Sequence, residues 1–226
     1  MEIVLTEDGS NSIFSSGFNE HYHSTHGAIQ ESKHIFIEAG LKSTIIDKPE
    51  IHILEIGFGT GLNANLTKIE LESKNVIVNY TSYEAFPVPE KIFSALNYSE
   101  QLKQNNDFFI ALHQANWNEW IEILPKFKLL KLHQKIEDAE LPNNHFDFVY
   151  FDAFSPEIQA ELWSEAIFLK IFQSMKNNAV LTTYSAKGIV KRALKSAGFV
   201  VENLPGPPGK REITRAKKIE YLPNNL

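Results

Sequence analysis

Apolar and polar positions alternate with two different periods along most of the chain. Short apolar or β-branched runs predict strands at 51–56, 76–84, 127–133, 145–154 and 179–186. Segments with helical spacing predict helices at 62–72, 90–97, 112–125, 159–175 and 187–198. Strands that alternate with helices indicate an α/β fold, with a mostly parallel sheet and helices on both of its faces.

The first part of the chain lacks this alternation. Residues 1–30 are polar and rich in turn formers, whereas the apolar spacing at 28–40 predicts a helix that ends at Gly40. We therefore expect an N-terminal extension over 1–48, followed by one compact domain over 49–226.

The end of the chain departs from the alternation in a different way. Strand-like segments at 199–204 and 212–221 are separated only by the tight turn PGPPGKRE, which leaves no room for a helix. This spacing predicts an antiparallel hairpin at the edge of the parallel sheet.

Three glycines at every second position follow the first predicted strand of the domain, in ILEIGFGTGLN. Gly57, Gly59 and Gly61 allow the backbone to turn sharply and to approach a ligand closely. A dinucleotide fingerprint has its third glycine one residue later, and Glu55 would repel a pyrophosphate. A carboxylate suits the ammonium and sulfonium groups of S-adenosylmethionine instead. The segment resembles the first motif of class I methyltransferases, and the alternative is a structural glycine turn.

Acidic side chains follow the next two predicted strands. Glu84 ends the second strand, 27 positions after Gly57, where a carboxylate accepts hydrogen bonds from ribose hydroxyls. The loop KIEDAEL (135–141) brings Glu137 and Asp138 to the place where an adenine amino group would lie. The alternatives are an ordinary exposed Glu84 and a solvated acidic loop.

A further carboxylate ends the central strand, in YFDAFSP (150–156). Asp152 is expected at the carboxyl end of that strand, where open α/β sheets bind their ligands. Methyltransferases that modify exocyclic base nitrogens often carry Asp/Asn-Pro-Pro-aromatic there, which this segment does not match. Methylation of an adenine or cytosine amino group is therefore disfavoured. The alternative role of Asp152 is to cap the following turn.

Composition excludes several kinds of chemistry. The chain has no cysteine, so disulfides, cysteine-ligated zinc and a thiolate nucleophile are excluded. The spacing of His21, His23 and His26 fits no common zinc site, so we expect no metal and a structural or substrate-lining role for these histidines. The sequence contains neither a long apolar run nor a signal-like N-terminus, so we expect no membrane span and a cytoplasmic protein.

Charge is distributed unevenly along the chain. The formal net charge is −6, yet residues 187–226 contain nine Lys/Arg and three Asp/Glu. This basic C-terminal quarter suits a phosphate-bearing partner. The alternative is a solvated basic tail.

Together these segments resemble one family, in the same order and over nearly the whole chain. FNEHYHS (18–24), the glycine motif, YFDAFSP, TTYSAKG (182–188) and GPPGKRE (206–212) are similar to the methyltransferase half of the bifunctional enzyme MnmC. They are more similar to its stand-alone relatives, often called MnmD. The glycine motif alone identifies only the superfamily, whereas DAFSP and GKRE make the resemblance specific.

The resemblance implies a fold and a reaction. The fold would be the Rossmann-like class I methyltransferase fold with a seven-stranded sheet, residues 1–48 on the substrate side and no fused FAD oxidoreductase domain. The cofactor would be S-adenosylmethionine, and the substrate 5-aminomethyl-2-thiouridine, or its oxygen analogue, at the wobble position in the anticodon stem-loop of tRNA. The product would be the 5-methylaminomethyl nucleoside. A deprotonated amine needs no cysteine nucleophile, whereas the usual methylation of uracil C5 does.

The resulting hypothesis gives three roles to the site residues. Asp152 would orient the amine, and either accept its proton or only position it, with Phe154 and Tyr184 lining the pocket or stacking on the base. The cofactor would be held by Glu55, Gly57, Gly59, Gly61, Asn63, Glu84, Glu137, Asp138 and Asp152. RNA phosphates would be contacted by Lys187, Lys191, Arg192, Lys210 and Arg211.

Two other functions fit parts of the pattern. A small-amine transferase of the same fold, such as a polyamine aminopropyltransferase, is often acidic and keeps an Asp near the fourth strand. The basic C-terminal quarter favours RNA over that alternative. A non-catalytic RNA-binding module with this fold is disfavoured, because the glycine motif, Glu84 and Asp152 are all present.

Overall fold

The computed structural model describes residues 1–44 and 48–219 of the 226-residue chain. The last two residues of the strand predicted at 212–221 lie outside the described residues. The strands are β1 (Glu2–Leu5), β2 (Asn11–Ser15), β3 (Glu20–His21), β4 (Glu50–Ile56), β5 (Ile77–Tyr83), β6 (Trp120–Leu124), β7 (Phe127–Leu132), β8 (Phe146–Phe151), β9 (Met175–Thr183), β10 (Val200–Pro205) and β11 (Glu212–Lys217).

Helices pack on both faces of the main sheet. They are α1 (Ala28–Ser32), which continues through π-helical turns at Lys33–Leu41 into α2 (Lys42–Thr44), then α3 (Leu62–Leu71), α4 (Glu90–Phe93), α5 (Tyr98–Gln101), α6 (Asp107–Gln114), α7 (Glu165–Ser174) and α8 (Gly188–Ser196), with 3₁₀ turns at Ile136–Asp138 and Ala160–Trp163. Across the parts of the chain that are described, no helix is both long enough and apolar enough to cross a membrane.

The main sheet has eight strands in the order β10-β11-β9-β8-β4-β5-β7-β6. The five central strands, from β9 to β7, are parallel to one another. β11 pairs antiparallel with both β9 and β10. The predicted α/β fold, with a mostly parallel sheet and an antiparallel C-terminal hairpin, is therefore confirmed.

The helix predicted at 112–125 is wrong after Gln114, so only its first three residues are helical. α6 ends at Gln114, and β6 then pairs antiparallel with β7, which adds an eighth strand to the seven expected. Between them Asn118 has a positive φ of 65°, which a helix does not tolerate. Along β6, exposed and half-buried residues alternate, so the period there is two.

The prediction that Gly40 ends the first helix is also wrong, because the helical turns continue to Thr44. A Cβ atom on Gly40 would lie 2.2 Å from Cζ of Phe148. This glycine therefore allows the helix to pack closely on the sheet. The preceding segment, which the sequence marks only as turn-rich, forms a three-stranded antiparallel sheet of β1, β2 and β3.

The central strand β8 is buried on both faces. Tyr150 packs against Phe36 on one side, with ring centroids 5.4 Å apart, and Phe151 packs against Phe168 on the other, at 5.0 Å. Because helices cover both faces of the central strands, the carboxyl ends of those strands remain as the edge at which a ligand can bind.

Candidate active site

The loop at 57–61 joins β4 to α3 in a backbone conformation that glycine favours. Gly57, Gly59 and Gly61 have φ values of 91°, 49° and 71°. A Cβ atom on Gly57 would lie 2.6 Å from the backbone oxygen of Asp152. The absence of a side chain at Gly57 thus permits the close approach of the ends of β4 and β8.

Backbone hydrogen bonds join the ends of the central strands. The Gly57 N–H donates to the Tyr83 carbonyl at 2.9 Å, and the Asp152 N–H donates to the Ile56 carbonyl at 3.0 Å. The Glu84 N–H donates to the Leu132 carbonyl at 3.0 Å. These bonds align the strand ends around one cavity of about 520 Å³. The predicted site residues that line it are Gly57, Gly59, Asn63, Glu84, Glu137, Asp152, Phe154, Tyr184 and Lys210.

Glu84 holds the glycine loop in place. Its carboxylate accepts a hydrogen bond from the Gly59 N–H at 2.9 Å and another from the Phe86 N–H at 2.6 Å. Burial raises the pKa of the Glu84 carboxyl, and these hydrogen bonds partly offset that rise. The side chain both shapes the loop and borders the cavity.

Asp152 is oriented by the first turn of α3. Its Oδ2 accepts a hydrogen bond from Nδ2 of Asn63 at 2.8 Å. Burial raises the pKa of the Asp152 carboxyl to about 7, and the negative charge of Glu31 adds to the rise, whereas the Asn63 hydrogen bond and the positive charge of Lys210 oppose it. A carboxyl with this pKa exists in both forms near neutrality, which suits a group that accepts a proton.

The structure does not bring Glu55 to the cavity. The alternation along β4 turns its side chain under the glycine loop, where it is fully buried. Oε2 accepts a hydrogen bond from the Ser82 hydroxyl at 2.8 Å, and Oε1 has no hydrogen-bond partner within residues 1–44 and 48–219. Burial raises the pKa of this carboxyl well above its ordinary value, which favours its protonated form.

Two other residues that were predicted to contact the cofactor, Asp138 and Gly61, do not line the cavity either. Glu137 lines the cavity, whereas the neighbouring Asp138 is exposed and does not. Nζ of Lys170 holds this turn by donating to the carbonyls of 136, 137 and 139 at 3.0, 2.8 and 2.9 Å. Gly61 lies at the start of α3 but not on the cavity wall.

Aromatic rings form one wall of the cavity. The ring centroid of Phe154 lies 4.5 Å from that of Phe18 and 4.9 Å from that of Tyr22. The Tyr184 hydroxyl donates to the Ala153 carbonyl at 2.9 Å, and Nε1 of Trp163 donates to the Phe154 carbonyl at 2.8 Å. These two hydrogen bonds fix the segment that follows Asp152.

The N-terminal extension supplies further cavity residues, most of which the sequence did not single out. Residues 18–25 and Glu31 line the cavity, and Glu20, Tyr22 and Glu31 are the ones with evident chemistry. The segment FNEHYHS stood out only through the family resemblance. Nothing in its polar and aromatic composition indicated which strand ends it would meet.

Two histidines of this segment, His21 and His23, line the cavity, and His23 also has a structural contact. Nε2 of His23 lies 2.7 Å from Oγ1 of Thr60, which joins the extension to the glycine loop. Burial lowers the pKa of His23 to about 4, so its ring is neutral. Across residues 1–44 and 48–219, no cluster of three or more His, Cys, Asp or Glu side chains is arranged to hold a metal ion.

The predicted RNA contacts fall into two places. Lys187, Lys210 and Arg211 border a second groove next to the cavity, whereas Lys191 and Arg192 lie on α8 and border neither. The cavity and this groove share Glu20, Tyr184 and Lys210.

Most of these cations have an acidic partner. Lys187 pairs with Glu157, and Lys191 lies 3.1 Å from Glu212. Arg211 forms no ion pair with any residue that the structure describes.

Comparisons with known proteins agree with this geometry. A model of the S-adenosyl-L-methionine-dependent methyltransferases matches residues 100–219. The tRNA 5-methylaminomethyl-2-thiouridine biosynthesis bifunctional protein MnmC of Cupriavidus metallidurans is 29% identical over 231 residues, which cover 96% of this chain and 34% of that protein. The chain thus spans about a third of the length of the MnmC relatives that it matches.

Solved structures show the same fold. The crystal structure of MNMC2 from Aquifex aeolicus superposes with a TM-score of 0.75 at 27% identity, covering 95% of this chain and 69% of that one. The spermidine synthase of Thermotoga maritima superposes with a TM-score of 0.58 at 14% identity, covering 92% of this chain and 69% of that one, which is a likeness of fold alone.

The raised pKa of Asp152 predicts a pH-dependent stability difference between the wild type and Asp152→Asn. Because the folded pKa of about 7 lies above the ordinary value of 3.8, the protonated carboxyl stabilises the fold, and this contribution is lost as pH rises from about 4 to about 7. Urea unfolding should show the wild type losing on the order of 1 kcal/mol or more relative to the variant over this range, and little more above it. A difference that does not change with pH would contradict the assignment.

Proposed function

Because the chain belongs to the S-adenosyl-L-methionine-dependent methyltransferase family, we propose that it methylates the primary amine of 5-aminomethyl-2-thiouridine, or of its oxygen analogue, at the wobble position of tRNA. The product is the 5-methylaminomethyl nucleoside. Support for this substrate comes from the MnmC relatives, which are named for the biosynthesis of this nucleoside. A tRNA substrate implies a cytoplasmic reaction.

One observation carries the proposal: the Asp152 carboxyl lies beside the glycine loop, at a cavity with an aromatic wall. A carboxylate at that place can hold an amine and take its proton. The chain has no cysteine for attack on uracil C6. A side-chain amine therefore suits this site better than a ring carbon.

The residues of the cavity fit S-adenosylmethionine. The cavity volume of about 520 Å³ lies within the ~300–1,000 Å³ range of ordinary ligand pockets. We assign the cofactor to the glycine loop, with Glu84 on its ribose and Glu137 near its adenine. When bound, S-adenosylmethionine supplies an electrophilic methyl group.

The chain's own residues handle the amine and its proton. Asp152, held by Asn63, aligns the nitrogen with the methyl carbon. The amine nitrogen, once it has given a proton to Asp152 or to water, would accept the methyl group that bound S-adenosylmethionine would supply. A raised pKa makes Asp152 able to accept that proton near neutral pH.

Residues next to Asp152 are assigned to the recognition of the wobble base and of the RNA backbone. We assign Phe154 to stacking on an unstacked wobble base, because sequence-specific RNA binding commonly uses aromatic side chains in this way. Arg211, Lys187 and Lys210 border the groove beside the cavity, where flanking phosphates would pass. Arg211 is the strongest phosphate ligand of the three, because the two lysines have carboxylate partners.

A small-amine transferase remains the competing function, because Glu20, Glu31 and Asp152 make the cavity acidic. If the protein transferred an aminopropyl group from decarboxylated S-adenosylmethionine to putrescine in an assay, that result would favour the small-amine transferase. The basic groove beside the cavity has no role in such a reaction.

Glu55 and Glu84 should differ in their effect on cofactor affinity. Glu84→Gln would place an amide N–H₂ against a backbone N–H, so the Kd for S-adenosylmethionine should rise about tenfold or more. Burial favours the protonated form of Glu55, and Glu55→Gln replaces that form with an amide of the same shape, so the Kd should change less than about threefold. Calorimetric titration measures both, and a larger loss for Glu55→Gln would contradict a protonated Glu55.

The substrate assignment predicts methyl transfer to one nucleoside. The protein, incubated with labelled S-adenosylmethionine and tRNA from cells that lack the final methylation, should yield 5-methylaminomethyl-(2-thio)uridine by mass spectrometry of the digest. Asp152→Asn should lower kcat by about 10²-fold or more, whereas the exposed Glu38→Gln serves as a control without effect. Absence of transfer to the wobble uridine would refute the proposed function.

A further inference from the structure

We propose that Glu31 and the ring face of Tyr184 form an ammonium-binding subsite beside Asp152, which selects substrates that carry a primary amine. In this structure the side-chain ammonium of Lys210 lies in that subsite. The role in substrate selection rests on the proposed function, whereas the affinity of the subsite for a primary ammonium does not.

Glu31 is a buried carboxylate held by the backbone. It lies on α1, is 8% exposed, and lines the cavity. Its Oε2 accepts a hydrogen bond from the Ser24 N–H at 2.7 Å, and its Oε1 lies 3.3 Å from Nζ of Lys210. One oxygen therefore fixes the carboxylate, and the other binds an ammonium group within the cavity.

Tyr184 supplies an aromatic face to the same ammonium. Nζ of Lys210 lies 4.9 Å from the Tyr184 ring centroid, which is within the range of a cation–π interaction. The ring is held at its hydroxyl by the Ala153 carbonyl and packs edge-on against Trp163, with centroids 5.8 Å apart. A carboxylate on one side and an aromatic face on the other form a binding place for a primary ammonium.

The negative charges around Tyr184 favour a cation at this place. Burial raises the pKa of its hydroxyl well above the ordinary value, and the negative charges of Asp152, Glu20 and Glu31 raise it further. Among the described residues, two lysines and no arginine line the cavity. Of these two, Lys135 and Lys210, only Lys210 forms an ion pair with Glu31. A neutral uracil ring would leave Glu31 unpaired if it displaced Lys210, whereas an aminomethyl group brings its own positive charge.

Lys210 can exchange its place with the substrate amine. It lies in the turn between β10 and β11 and borders both the cavity and the adjoining groove. Once an ammonium binds Glu31, the Lys210 side chain is free to turn into the groove that Arg211 also borders, where RNA phosphate would balance its charge. The two steps together couple amine recognition to contact with the RNA backbone.

Binding of free nucleosides tests the subsite without phosphate. Protein saturated with S-adenosylhomocysteine is titrated with 5-aminomethyluridine and with uridine, followed by NMR. The wild type should prefer the amine, and Glu31→Gln should weaken its binding about tenfold or more with little change for uridine. Lys210→Met should tighten binding of the amine about threefold or more, because it removes the competing ammonium. The exposed Glu38→Gln is the matched control and should behave as the wild type.

The outcomes separate the subsite from the proposed function. Amine binding that depends on Glu31, together with no methyl transfer to tRNA, would keep the subsite and reject the proposed function. Methyl transfer to tRNA with unchanged amine binding in Glu31→Gln would reject the subsite and keep the function. The subsite also falls if the wild type shows no preference for the amine, or if Lys210→Met weakens the binding of 5-aminomethyluridine. Thermal unfolding of Glu31→Gln shows whether this variant is folded. Lys210→Met tests the subsite independently, because Lys210 is less buried than Glu31.

Discussion

The site depends on the close approach of β4 and β8 at Gly57. With only 2.6 Å between the position of a Cβ atom there and the backbone oxygen of Asp152, no side chain fits at Gly57. This contact places the glycine loop directly beside Asp152, and hydrogen bonds from neighbouring strand ends hold the arrangement. The loop that we assign to the methyl donor and the carboxyl that we assign to the amine proton therefore adjoin one another because β4 and β8 meet closely at Gly57.

The carboxyl groups around this contact differ in pKa and in their partners, because their surroundings differ. Glu55 is fully buried without a charged partner, which favours its protonated form, whereas Glu84 is held by two backbone N–H groups. Asp152 lies between these cases, with a pKa of about 7. Glu31 retains a cationic partner in Lys210. In the proposed mechanism, residues of the same chemical type thus have different roles, namely support, loop shape, proton acceptance and ammonium binding, according to burial and partners.

Much of this arrangement could be predicted from the sequence, because it follows from local patterns. The strand and helix periods and the short hairpin turn led to the sheet topology, and the positions of Glu84 and Asp152 at strand ends led to the cavity. Local patterns failed where long-range packing decides. Gly40 has the appearance of a helix end but serves a contact with Phe148, and the apolar spacing before β6 mimics a helix.

The same reason explains the missed site residues. Glu31 sits in a helical segment with no distinguishing neighbour, and only the folding of the extension onto the strand ends brings it to Tyr184 through Lys210. Glu55 shows the opposite error, since its place in the motif suggested a ligand contact but the alternation of β4 turns it inward. Periodicity identifies which residues share a face, whereas tertiary contacts decide which faces meet.

The most direct test of the central claim is a crystal structure of the protein with S-adenosylhomocysteine and an anticodon stem-loop that carries 5-aminomethyluridine. The geometry predicts the amine nitrogen within about 3 Å of the Asp152 carboxylate, with the base against Phe154 and the sulfur of the cofactor beside the amine. An amine placed outside the cavity, or one that contacts neither Asp152 nor Glu31, would contradict the account.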